Sequence, residues 1–257
     1  MATPRTRRAL VAAALSVTSA VGLTLLPPQG AVALAGTSGS QAAVGVSTAI
    51  APTTAPASYA FSTLLDGKPV RWNPCAPIRW TSNTARGPAG GLDVLKSAVA
   101  RVAAVTGTTW QYVGPTTRVP TTSYLPTRAS TSYPPVLIGW TDGASSDLLR
   151  SRPTSVLGMT RSAYFGVQTS DGRKYAATRA AVIALDRTDR LPLRGGTSWN
   201  AVALHELGHA MGLAHVGDTR QLMASVLPRT LADLQTGDRA GLWRLGRSAG
   251  CVVVPGS

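Results

Sequence analysis

The stretch His205-Glu206-Leu207-Gly208-His209-Ala210-Met211-Gly212-Leu213-Ala214-His215 holds every histidine and the only glutamate of a 257-residue chain. On a helix, His205 and His209 stand one turn apart on one face, so their imidazoles can share an ion. Neutral imidazole nitrogens suit Zn²⁺. Glu206 is rotated one position off that face and lies beside such an ion rather than on it. Gly212, three residues past His209, can take positive φ, end the helix and turn the chain back. His215 then meets the same ion. Three protein ligands leave a fourth position open, the mark of a catalytic site. A closed structural site needs a fourth ligand, and no histidine remains to supply one.

The expected chemistry follows from those roles. Zn²⁺ acidifies water and polarises a carbonyl. Glu206 serves as general base toward the water and general acid toward the leaving amine, a contribution of about 10²–10⁴-fold. The leading function is therefore a secreted, zinc-dependent endopeptidase. The alternatives are a zinc hydrolase of cell-wall peptides and an inactive exported binding module that keeps the metal site. The intact Glu206 and the open coordination position argue against the last.

Outward from this stretch, the apolar pattern sets out the rest of a fold. Thr197 or Ser198 can cap the histidine helix, which runs to about Met211. Upstream, strands are predicted at 78–82, 108–113, 135–140, 156–161 and 180–186. A helix over 92–105 is closed by Gly107. Downstream, Thr236 is the expected cap of a last helix ending near Gly246. This order predicts an α+β domain with one mixed sheet and helices behind it. Residues 114–134 read as a functional or mobile loop.

The first 35 residues read as a secretory signal peptide. Arg5, Arg7 and Arg8 precede an uncharged apolar run, and small-residue sites at 31–33 and 33–35 follow it. Thr6-Arg7-Arg8 hints at twin-arginine export. Residues 36–60, rich in Ala, Ser, Thr and Pro, read as a flexible linker or short leader. The catalytic domain is expected over 61–257. A secreted, extracellular location follows, with no stable membrane insertion after cleavage.

Cys75 and Cys251 are the only cysteines. In an exported chain they are expected to pair. The rival is a free Cys75 thiolate that caps the metal. The chain carries 25 bases, three of them in the leader, against 11 acids. The arginines are spread rather than clustered, so no specific nucleic-acid site is expected. An anionic cell-surface polymer is the polyanionic partner the charge would serve, beside a protein or peptide substrate. The chain is read as a monomer. A calcium role has no support: Asp142, Asp147, Asp171, Asp186 and Asp189 are scattered, and no oxygen-ligand loop is recognisable.

The three-histidine motif resembles that of the metzincin zinc endopeptidases. Gln221-Leu222-Met223-Ala224 resembles their methionine-containing turn. Met223 stands eight residues after His215, as in the matrixin branch, and residues 234–246 resemble the matrixin closing helix. The resemblance implies a zincin fold: a twisted, mixed five-stranded sheet, an active-site helix, and a small C-terminal subdomain ending in a helix. It implies a peptide substrate lying antiparallel to an edge strand formed by Val156, Leu157, Gly158, Met159 and Thr160. It implies a pocket wall at residues 224–231 and an Asp238 that braces the methionine turn. There are departures too. No tyrosine follows Met223 at the spacing of a fifth zinc neighbour, and no histidines are left for a second, structural zinc. Gly237-Asp238 stands where matrixins carry two acids. Asn73-Pro74-Cys75-Ala76-Pro77 is too unlike a cysteine-switch peptide to imply activation by propeptide removal.

Overall fold

The computed structural model describes residues 20–24, 58–127, 130, 132–153, 156–168 and 174–252. The expected cleavage sites and the linker up to residue 57 lie outside the described residues. In chain order the elements are β1 (Ala20–Thr24), β2 (Ala60–Phe61), β3 (Leu64–Leu65), β4 (Lys68–Pro69), β5 (Ile78–Asn83), α1 (Gly91–Thr106), β6 (Trp110–Pro115), β7 (Val136–Thr141), β8 (Val156–Gln168), β9 (Lys174–Asp186), α2 (Trp199–Met211), β10 (Leu213–Ala214) and α3 (Thr236–Leu245).

The fold is α+β. Five strands in the order β8-β9-β7-β5-β6 form a mixed sheet. β8 runs antiparallel to β9, and the other neighbours are parallel. A sixth strand was not expected. β1, from the segment read as a signal peptide, lies antiparallel on the outer edge of β8, with Val21 opposite Thr160 and Leu23 opposite Gly158. An edge strand presents a row of main-chain N–H and C=O groups that a further strand can satisfy.

β7 is buried at every position, as a central strand must be when both faces of its sheet are covered. Val136, Ile138 and Trp140 face the helices, while Leu137 faces a second cluster with Leu148, Leu149, Val156, Met159, Val182 and Ala184. α1 contributes Val94, Leu95, Ala98, Val99 and Val102 at helical spacing to the larger core. Each fully buried leucine or isoleucine there stabilises by about 1.5–3 kcal/mol. Gly107 ends α1 with φ 67, and its N–H donates to the Ala103 carbonyl.

Four predicted elements differ in detail. β8 and β9 run 13 residues each, about twice the expected length. Their outer ends carry Tyr164, Gln168, Lys174 and Tyr175 and do not read as buried strands. Pairing in a hairpin supplies the order that their pattern lacks. The 114–134 loop, so far as it is described, is packed across the second face of the sheet. Tyr124 and Leu125 join the smaller cluster, Asn83 donates to the Arg118 carbonyl at 3.0 Å, and the Tyr124 hydroxyl donates to the Pro135 carbonyl at 2.8 Å. In α3 the cap is Gln235, and Thr236 is the first helical residue.

Cys75 and Cys251 form a disulfide with a Cα–Cα distance of 5.4 Å. No cysteine is free to cap a metal. The bridge closes a loop of 176 residues, worth about 5 kcal/mol in the chain-entropy model. Nearby, the Arg71 guanidinium donates to the Ala249 and Gly250 carbonyls at 2.8 and 2.9 Å. The two ends of the domain are thus fastened together.

Candidate active site

α2 is buried along its whole length, so its polar side chains act in an environment with little water. The Ser198 hydroxyl caps it by accepting the Ala201 N–H. Gly212 closes it with φ 118, and its N–H reaches the Gly208 and His209 carbonyls. A side chain on Gly212 would also press on the Val70 carbonyl, 3.1 Å from its would-be Cβ. The chain then reverses through β10, which pairs with β2, and returns His215 to the histidine face.

The three imidazoles converge. The His205 Nε2 lies 2.9 Å from the His209 Nε2 and 3.1 Å from the His215 Nε2. Two rings are oriented from behind. The Leu222 carbonyl is 2.6 Å from the His205 Nδ1, and the Leu213 carbonyl is 2.8 Å from the His209 Nδ1. A carbonyl can only accept, so the proton sits on Nδ1 and the Nε2 lone pair points to the centre. Lone pairs at such range repel one another unless a cation shares them. Burial also pushes the His205 imidazolium down to about 3 and the His209 and His215 rings below the ordinary imidazole range. Neutral rings with fixed tautomers are what a divalent metal requires. This donor set fits zinc, and among the described residues it is the one cluster suited to a metal.

Glu206 sits on the same helix, with no solvent exposure. Burial pushes its carboxyl up to about 8, against the pull of a hydrogen bond from Thr160. The Thr160 Oγ1 lies 2.7 Å from the Glu206 Oε2 and 3.0 Å from the Glu206 main-chain carbonyl. Thr160 belongs to β8, so one edge strand flanks the site on the sheet side.

Met223 closes the other side. Its Sδ would lie 2.4 Å from a Cβ on Gly208, so α2 must carry a glycine where the methionine packs beneath it. The turn is held by one carboxylate. The Asp238 Oδ2 accepts the Leu222 and Gln235 N–H groups, each at 2.8 Å, and Oδ1 accepts the Met223 N–H at 3.0 Å. Gln221 ties the turn to α3 by accepting the Gly237 and Asp238 N–H groups. Its own amide donates to Asp218 at 3.3 Å. The segment after Met223 is fixed at both ends, with Leu227 buried and the Arg229 carbonyl accepting the Thr197 N–H at 3.2 Å.

Sequence reasoning did not single out Asp218, the bracing amide of Gln221 or the hydroxyl of Thr160. An aspartate two residues before Arg220 is a turn signal, and the Asp218 Oδ1 does accept the Arg220 N–H at 3.0 Å. Nothing in the spacing announces the Thr160 contact, which joins positions 46 residues apart. Three of the loop aspartates have protein partners, while the buried Oδ2 of Asp189 has none. Asp142 pairs with Arg86 and Arg187, Asp147 accepts the Thr122 N–H at 2.9 Å, and Asp186 accepts the Thr188 N–H at 2.9 Å. Asp171 lies outside the described residues.

The matrixin family model matches residues 127–245. Among solved structures, the chain is similar to metalloproteinase-II from Bacteroides fragilis, at 13% identity and a TM-score of 0.38. The match covers 70% of this chain and 56% of that one, so the chain spans little more than half of that protein's length. No curated protein matches the chain. The region matched by the matrixin model contains the three histidines, Glu206, Thr160, Met223 and Asp238, and this match supports a matrixin-type, zinc-dependent metallopeptidase.

Proposed function

We propose that the chain is a secreted endopeptidase that cuts peptide bonds with Glu206 as general base and then general acid. One observation carries this reading: the buried Glu206 carboxyl stands on the helix that supplies two of three converging imidazoles, next to the edge of the sheet. His205, His209 and His215 would hold zinc, which when bound supplies Lewis acidity toward a peptide carbonyl and acidifies water. Glu206, as the carboxylate, accepts the proton of the attacking water and hands it to the departing amine. Burial keeps the imidazoles neutral, and the Leu222 and Leu213 carbonyls orient two of them.

The substrate lies along β8, from Val156 to Thr160, as an added antiparallel strand. The pairing of β1 with this same edge supports that reading, because it is an extended peptide already seated there. Cleavage of the leader near residue 33 or 35 would remove β1 and leave the edge free for substrate. The disulfide suits an oxidising compartment, and no helix among the described residues is long and apolar enough to cross a membrane.

Cleavage of a peptide library by the zinc-loaded protein, compared with Glu206→Gln, tests this function. The variant keeps its zinc and loses about 10²–10⁴-fold in kcat. Undiminished turnover in Glu206→Gln would overturn the assignment.

A further inference from the structure

Glu206 is held from the sheet side by two residues of β8 that share one face of the strand, Gly158 and Thr160. The Thr160 side chain is 2% exposed, so its hydroxyl does not exchange its partner for water. That hydroxyl has one proton to give. Toward an ionised Glu206 it donates to Oε2, the nearer acceptor at 2.7 Å, and a charge-assisted hydrogen bond of this kind is among the stronger ones. The other carboxyl oxygen, Oε1, is buried and has no hydrogen-bond partner. The two oxygens are therefore not equivalent: one is fixed and one is free.

Gly158 makes that arrangement sterically accessible. A Cβ on Gly158 would lie 3.0 Å from both the Cγ and the Oε1 of Glu206 and 3.1 Å from its Cδ. Any side chain there would push the carboxyl away from the strand. Oε1 thus occupies space that exists because residue 158 has no side chain, while Oε2 is pinned by residue 160.

We propose that Thr160 and Gly158 are positioning residues for Glu206, with Thr160 clamping Oε2 so that Oε1 is the atom that carries the proton. This rests on the reading of Glu206 as general base. The proton leaves the attacking water for Oε1 and passes from Oε1 to the leaving amine, so the carboxylate is regenerated and the Thr160 hydroxyl keeps its own proton throughout. β8 then has two duties. Its main chain pairs with a substrate strand, and its side-chain face sets the orientation of the group that performs the proton transfer.

The test uses the zinc-loaded chain with Thr160→Val, Thr160→Ala, Thr160→Ser and Gly158→Ala, followed on a fluorogenic peptide. Because Glu206 is the only glutamate, ¹³Cδ-glutamate labelling gives a single carboxyl resonance that reports this group directly, with or without metal. Thr160→Val is expected to lower kcat about 10- to 100-fold with KM within about twofold. Zinc content stays unchanged, and Thr160→Ser recovers most of the loss. The Cδ resonance shifts in Thr160→Val and Thr160→Ala at fixed pH and returns in Thr160→Ser. Gly158→Ala lowers kcat in the same way and also moves the resonance. A folded Thr160→Val or Thr160→Ala with wild-type kcat, or an unmoved Cδ resonance, would overturn the proposal. A change confined to KM would overturn it as well, assigning Thr160 to substrate binding instead. A zinc-loaded wild type that cleaves no peptide would overturn the endopeptidase reading itself, while the Cδ resonance would still decide whether Thr160 holds the carboxyl.

Discussion

The two sides of α2 are held by different kinds of force. Toward the sheet and α1, Val202, Leu204 and Leu207 join a core with Leu95, Ile138, Ile183 and Leu185, built from hydrocarbon contacts. Toward the C-terminal side, the loop that carries His215 and Met223 is tied down by hydrogen bonds that main-chain N–H groups donate to the side chains of Asp238, Gln221 and Asp218. Dispersion contacts are many and individually small, so a packed face spreads its stability over many residues. A single carboxylate accepting three main-chain N–H groups concentrates it. The metal-facing histidines depend on this second side, since the carbonyls that orient His205 and His209 belong to Leu222 and Leu213, both beyond the end of the helix.

The sharpest break of this comparison is Asp238→Ala. It leaves three N–H groups without their acceptor, and the expected cost is about 4 kcal/mol. Zinc affinity falls with it, because the Leu222 carbonyl and the methionine turn shift together. Urea denaturation beside a zinc titration measures both, and an unchanged zinc affinity would separate the turn from the site. On the packed side, Leu95→Ala is expected to cost about 3 kcal/mol through cavity formation, with zinc stoichiometry and kcat retained at low temperature. A Leu95→Ala variant that folds but binds no zinc would mean that the core, rather than the polar bracket, fixes the site.

A pH profile of the chelated protein sharpens the same contrast. Buried imidazoles that resist protonation, His205 down to about 3 against an ordinary 6.5, contribute stability above pH 6.5 that is lost as pH falls toward 3. Glu206 works in the opposite direction: raised from 4.5 to about 8, it contributes stability below pH 4.5 that is lost as pH rises through 8. With His209 and His215 lowered as well, the histidines dominate below pH 6.5 and Glu206 above it. Stability is expected to peak near pH 6.5, and Glu206→Gln is expected to remove the decline on the alkaline side. A profile that is flat between pH 5 and 8 would contradict this balance. The smallest effect belongs to Met223→Leu, a shape-conserving change expected to cost about 1 kcal/mol or less, with zinc kept. A calorimetric scan of the zinc-loaded variant checks it.

Much of the site was legible because it is local. His205, Glu206 and His209 lie within five positions on one helix, and helical geometry alone places them. Gly212 announced the turn that returns His215. The central strand was equally plain, since 136–140 is apolar throughout. The outer halves of β8 and β9 were not, because their alternating polar residues acquire order only from each other. The path of 114–127 was also hidden. A loop rich in Pro, Thr and Arg carries no sign that Tyr124 and Leu125 cover the far face of a sheet.

The sequence by itself determined which residues can do chemistry here. It contains three histidines and one glutamate, and the spacing of a helix and a glycine turn brings them to one point. Tertiary structure decided how those groups are poised. The Leu213 and Leu222 carbonyls select the tautomers, Asp238 holds the turn from 15 residues away, and Thr160 reaches Glu206 across 46 positions. Short-range spacing is set by covalent geometry and can be read along the chain. Contacts between distant residues depend on which surfaces the packed core brings together, and that is settled only when the domain closes.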